Sequence, residues 1–152
     1  MTPGKLSRRI VADRMARIDR MLEEIYKLPM DNYDVFLQDS RNVYTAESCL
    51  RRSLEALLDM GRHILAKGFG LGVTEYKEIA NELHRQGVLN SDNAELLKVL
   101  AGYRNRMVHF YNEITTKELF EICRDDIKDI LQVKEAFLQW IRRNPERIEE
   151  TL

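Results

Sequence analysis

The run Tyr103-Arg104-Asn105-Arg106-Met107-Val108-His109-Phe110-Tyr111 holds the residues best placed to do chemistry. A histidine with a near-neutral pKa can take the proton from a ribose 2′-OH or give one to a leaving oxygen. An arginine can stabilise the charge that grows on a phosphorane-like transition state. Asn105, beside the arginine, can orient the imidazole. This pairing suits RNA cleavage and asks for no metal and no cofactor. Taken by chemistry alone, one arginine and one histidine on a helix are most often surface or structural residues, and a tyrosine such as Tyr111 is more often a core ring than a functional group.

The placement of Arg104 is unusual. On a helical wheel, at about 100° per residue, it falls in the middle of an apolar arc. That arc is made by Leu97, Leu100, Ala101, Met107, Val108 and Tyr111. A guanidinium cannot be neutralised, and burying one unpaired is very costly. Either it snorkels to the surface, or the arc lines a cleft or interface where an anion waits. Asn105 and His109 form an i, i+4 pair on the flank of the arc, within hydrogen-bonding reach. Arg104 and His109 diverge by about 140° on an ideal wheel. To act on one substrate, the helix must end or bend near His109, or two copies must face each other. A twofold homodimer does the second by placing two arginines and two histidines round one groove.

The elements that position this run read as helices throughout. The prolines are Pro3, Pro29 and Pro145, so the stretch from 30 to 144 contains none, as long helices require. A first helix is predicted from Ser7, as N-cap, to Leu28, with Pro29 ending it. A short helical turn covers Asp31 to Leu37. A long helix from Ser40 to Lys67 carries a stripe from Val43 through Leu50, Leu57 and Gly61 to Leu65. Its polar face holds Arg51, Arg52, Asp59 and Arg62. Gly68-Phe69-Gly70-Leu71-Gly72 stops it; the spacing is not that of a phosphate-binding loop, and no strand precedes it. Thr74 is expected to cap a short helix to Arg85, with Gln86-Gly87 as the stop. The motif helix begins at Asp92, with Glu95 at capping-box spacing. Thr115 and Glu118 fit a capping box for one last helix running to Arg143. The expected architecture is all-α: an antiparallel up-and-down four-helix bundle with one extra short helix. A single domain over 7–143 and a short tail over 144–152 complete it.

Composition agrees with this picture. The chain has 152 residues, 44% hydrophobic and 32% charged, enough for one core and no more. Lys+Arg 24 against Asp+Glu 25 leaves a net charge of -1, without a strongly basic nucleic-acid footprint. A few arginines concentrated in one cleft remain compatible with that balance. Cys49 and Cys123 lie in no CxxC pattern and no zinc-ligand cluster, and His63 and His84 have no ligand set around them. They are read as structural. No signal-peptide or membrane-spanning pattern is evident, so a soluble cytoplasmic protein is expected.

Arg104, four residues, His109, one residue, Tyr111 resembles the R-x4-H-x-Y motif of HEPN-domain ribonuclease toxins of the HepT type. The match includes the Asn after the Arg. The likeness extends from about Ser7 to Trp140, through the long second helix, the glycine-bearing turn and the Tyr76 helix. It implies a dimerising helical bundle whose ribonuclease site forms where two motif helices meet. Arg104 and His109 would be the catalytic pair and Asn105 the supporting polar residue. It also implies a cognate MNT-type nucleotidyltransferase antitoxin that transfers AMP to Tyr111. The added phosphate would repel RNA from the cleft. Two other readings stand beside an endoribonuclease toxin: a non-catalytic helical partner or substrate-binding subunit of a nucleotidyltransferase, and a purely structural dimer module.

Overall fold

The computed structural model describes residues 4–109 and 114–150, and over these the chain is all-helical. Seven α-helices are present among them: α1 (Arg8–Tyr26), α2 (Tyr33–Leu37), α3 (Ser40–His63), α4 (Tyr76–Arg85), α5 (Ser91–Val108), α6 (Thr116–Asp125) and α7 (Ile127–Arg143). Helix α3 is the central element and packs against α1 along its length, and also against α5, α6, α7 and α4. None of the described helices is long and apolar enough to cross a membrane.

The helix starts are set by side-chain caps. Ser7 Oγ accepts from Ile10 N–H at 3.3 Å and opens α1. Val11, Met15, Ile18, Leu22 and Ile25 then recur on one face and are buried. Asn32 caps α2, and Phe36 stacks on Tyr33 and meets Phe120 of α6 edge to face. Helix α5 starts at Ser91, one residue before Asp92, because Asn90 is the cap and accepts from Asn93 N–H at 2.8 Å. Glu95 reaches Lys98 at 3.3 Å instead of closing a box. Thr115 Oγ1 accepts from Glu118 N–H at 3.1 Å and opens α6.

Three elements depart from expectation. The long second helix ends as an α-helix at His63, and Ile64–Gly68 continues as one wider π turn. Thr74 caps nothing: α4 starts at Tyr76, and the Thr74 carbonyl accepts instead from Arg62 Nη2 at 2.9 Å. The last helix is broken at Asp126 (φ -106°, ψ 0°) into α6 and α7. Asp126 Oδ2 accepts there from Tyr103 O–H at 3.0 Å, so the corner is tied to α5.

The chain ends are also part of the packing. Leu6 N–H donates to Arg147 C=O at 2.7 Å and Glu149 N–H to Leu6 C=O at 3.0 Å. Leu6 and Ile148 pair side by side, and both are buried. A core-forming Leu and Ile thus lie outside the 7–143 limits drawn from helix periodicity, which does not register an extended pairing.

Gly61 fixes how closely the bundle closes around α3. A Cβ there would sit 2.9 Å from Leu83 Cδ1 and 3.0 Å from Ile79 Cγ2. The missing side chain therefore lets α4 approach α3, and α4 carries Tyr76 into the site.

Candidate active site

Helix α5 presents Arg104 towards α3 and α4, and the anion demanded by its apolar surroundings is Glu55 of α3. Arg104 Nη2 lies 3.0 Å and Nε 3.3 Å from Glu55 Oε2. Glu55 Oε1 accepts from Arg51 Nη1 at 3.0 Å, so one carboxylate holds two arginines. The Arg104 guanidinium carbon stands 4.7 Å from the Tyr76 ring centroid, a cation–π distance. Arg62 approaches the same ring at 5.1 Å. Asn105 Oδ1 sits 3.5 Å from Arg104 Nη1. With 23% of its side chain exposed, Arg104 is held in place yet open to an arriving anion.

The helix ends where the wheel requires it to. His109 N–H donates to Asn105 C=O at 3.2 Å, and His109 itself is the C-cap, with extended backbone (φ -98°, ψ 130°). Its imidazole is exposed, at the end of the helix. Arg104, Asn105 and His109 line one cleft of about 420 Å³, together with Arg62, Thr74, Glu75, Tyr76 and Lys77. One chain thus brings the three together, without needing a second chain to overcome the wheel. Tyr111 lies outside the described residues.

The residues flanking Arg104 anchor this helix end. Arg106 makes two bonds of 2.7 Å to the Glu118 carboxylate and joins α5 to the first turn of α6. That guanidinium holds the Glu118 carboxyl below the usual carboxylate range. Tyr103 is pushed up to about 12, by burial first and then by its bond to Asp126. Both anchors lie in the last turns of α5, just before the motif leaves the helix.

The remaining sequence candidates are structural. His63 Nε2 accepts from Ser7 N–H at 2.9 Å, supporting the start of α1. His84 Nδ1 lies 3.1 Å from Leu89 C=O. Cys49 and Cys123 are both buried thiols. Among the described residues, no three His, Cys, Asp or Glu side chains gather as a metal-binding set.

Sequence reasoning missed Glu55 and the role of Tyr76. The available clue was the charge ladder Arg51, Glu55, Asp59 at i, i+4 spacing on α3, which marks a face poised to pair. Nothing local connects Glu55 to Arg104, which lies 49 residues away.

Residues 15–137 of the chain match the family described as Ribonuclease HepT-like. The chain belongs to that family. This HepT-like chain is also similar to the tRNA nuclease HepT of Aphanizomenon flos-aquae, at 28% identity over 112 residues, covering 73% of this chain and 76% of that one. Its fold resembles the tri-AMPylated HEPN toxin of Shewanella oneidensis solved in complex with MNT antitoxin. The TM-score is 0.76 at 22% identity, covering 86% of this chain and 97% of that one. It also resembles YutE of Bacillus subtilis, a cytosolic protein of unknown function. There the TM-score is 0.75 at 15% identity, covering 96% and 98%. At these identities the two structural likenesses concern the fold. The HepT-like fold is the all-α bundle expected from the sequence.

Proposed function

We propose that this HepT-like chain is a metal-independent endoribonuclease toxin of a toxin–antitoxin pair, acting in the cytoplasm. His109 moves the proton at the ribose 2′-OH or the leaving oxygen. Arg104 offsets the charge on the phosphorus oxygens, and Asn105 supports the pair. Glu55 and Tyr76 hold the guanidinium so that little reorganisation is needed when the substrate arrives. The convergence of Arg104, Asn105 and His109 on one cleft at the end of α5 supports this reading most strongly. The similarity to a tRNA nuclease supports RNA as the substrate.

In this reading the chain works as a homodimer whose two clefts open on a shared groove, so that one histidine can act as base and the other as acid. Its antitoxin is an MNT-type nucleotidyltransferase that attaches AMP to Tyr111, as the AMPylated toxin of similar fold suggests. The adduct adds about one negative charge two residues after His109 in the chain, and that charge competes with the RNA backbone for cations.

The test is cleavage of total cellular RNA by the purified chain in EDTA, with sedimentation at the working concentration. Cleavage that persists in EDTA, by a dimer, is expected. Cleavage that stops on chelation would overturn the metal-free chemistry, and cleavage by a strict monomer would overturn the shared groove. A chain that binds a nucleotidyltransferase and cuts no RNA would instead be its non-catalytic partner subunit.

A further inference from the structure

Beside the catalytic cleft, α1 and α3 build a second concentration of positive charge that the motif does not use. Two adjoining clefts are lined by Arg14, Arg17 and Arg20 of α1 and by Arg51 and Arg52 of α3. Glu55 and Asp59 are the acidic residues that line these clefts with the five arginines, in a chain whose net charge is -1. Arg14 is paired with Asp13 and Arg51 with Glu55. Arg17, Arg20 and Arg52 are exposed and make no ion pair among the described residues. At about 1.5 Å of rise per residue, Arg14 to Arg20 span about 9 Å along one side of α1.

This surface runs into the catalytic cleft. Glu55 lines both arginine clefts and binds Arg104, and Tyr76 lines the nearer arginine cleft as well as the catalytic one. A polyanion lying over Arg104 can continue along α1 past Glu55 and Asp59, because Arg104 and Arg51 bind the first carboxylate and Arg62 binds the second. The guanidinium fork matches phosphate oxygens, and unpaired exposed guanidiniums release counterions when phosphates arrive. A protein partner would need aromatic or aliphatic anchors. Among the described residues the surface offers Met21, Ala56 and the Tyr76 ring, and that ring is already covered by the Arg62 and Arg104 guanidiniums.

We infer that the Arg17–Arg20–Arg52 surface is an RNA-backbone exosite that grips the strand beside the scissile phosphate. It rests on the ribonuclease reading above and adds the part of the substrate held outside the catalytic cleft. It also accounts for nucleic-acid binding by a chain without overall positive charge, because the cations are gathered on one side.

The test measures binding separately from cleavage. A His109→Ala chain, which leaves RNA intact, is titrated against a fluorescent 20-nucleotide single-stranded RNA over a range of salt. Arg17→Ser, Arg20→Ser and Arg52→Ser are then combined in that background. A control removes three other exposed arginines, Arg85, Arg124 and Arg142, which line neither arginine cleft. The exosite triple variant should bind at least about tenfold more weakly, with a salt slope reduced by about 2, at about 0.7 per lost single-strand phosphate contact. The control should keep the parent's affinity to within about twofold. Equal losses in both variants would mean that net charge alone is at work and would overturn the exosite. Unchanged RNA binding with lost affinity for the nucleotidyltransferase would assign the surface to that protein and overturn it too. Because binding is read without turnover, a chain that binds through this surface yet never cleaves would sink the ribonuclease reading and leave the exosite standing.

Discussion

Glu55 Oε2 lies 3.0 Å from Arg104 Nη2, so the motif arginine is held chiefly by a carboxylate from the central helix. This pair makes the site a product of packing. Helix α3 must lie in register with α5 before the guanidinium points into the cleft. Both partners are partly exposed, at 23% and 27%, so the pair contributes little to stability and its value lies in orientation.

Glu55→Gln keeps a hydrogen-bond acceptor and removes the charge that positions Arg104. The maximal cleavage rate should fall by about 10–10²-fold, the scale of a small misplacement of a reacting group. RNA affinity should hold or rise, because a carboxylate beside the phosphate site is removed. Single-turnover kinetics at saturating RNA separate the two effects. Weakened RNA binding with an unchanged maximal rate would show that Glu55 does not position Arg104.

Gly61 holds α4 close to α3, with 2.9 Å available between a Cβ and Leu83 Cδ1. Gly61→Val should cost about 1–3 kcal/mol by overpacking. It should also lower cleavage, since it pushes back the helix that carries Tyr76. Urea unfolding reads the first effect; a variant as stable as wild type would contradict the tight approach.

Burial, with Lys67 and Arg14 nearby, holds His63 below the ordinary imidazole range. The unfolded chain, with an imidazole near about 6.5, takes up the proton first as pH falls. Its contribution to stability is therefore complete above that value and is lost as pH drops through the lower folded value. Protonation also removes the acceptor used by Ser7 N–H. His63→Gln should flatten the fall in unfolding free energy between about pH 7 and pH 5. The same slope in both proteins would remove His63 from the acid response.

Tyr111→Phe keeps the ring and removes the oxygen that would accept AMP. The variant should stay toxic when expressed alone, yet escape neutralisation by the nucleotidyltransferase supplied with ATP. Mass spectrometry of the wild-type chain should find the adduct on Tyr111. Equal neutralisation of both chains, with no adduct, would mean that control runs through partner binding.

Local chemistry made much of the fold legible. Ser7 and Thr115 are caps because their hydroxyls can reach the first free N–H groups, and both do so. Gly87 closes α4 with φ +78°, a conformation suited to glycine. The break at Asp126 was not legible, since neither Pro nor Gly marks it and the apolar spacing runs on through Cys123, Ile127 and Ile130. Tertiary packing and the Tyr103 bond set it. Arg104 was legible as an anomaly because a charge in an apolar arc must be paired. Glu55 was not, because its partner is distant in sequence. The end of α5 at His109 had been one of two ways to bring the motif together, and the extended C-cap takes that route.

The central claim is that Arg104 and His109 cleave RNA in the cleft at the end of α5. The most direct measurement is the cleavage rate of one defined RNA, in EDTA, by the wild-type chain and by His109→Ala and Arg104→Ala. Circular dichroism and melting would verify the fold of each. The rate should fall by about 10²–10⁴-fold in each variant, the usual cost of losing a positioned acid–base or charge-stabilising group. Folded variants that cut at the wild-type rate would contradict the account.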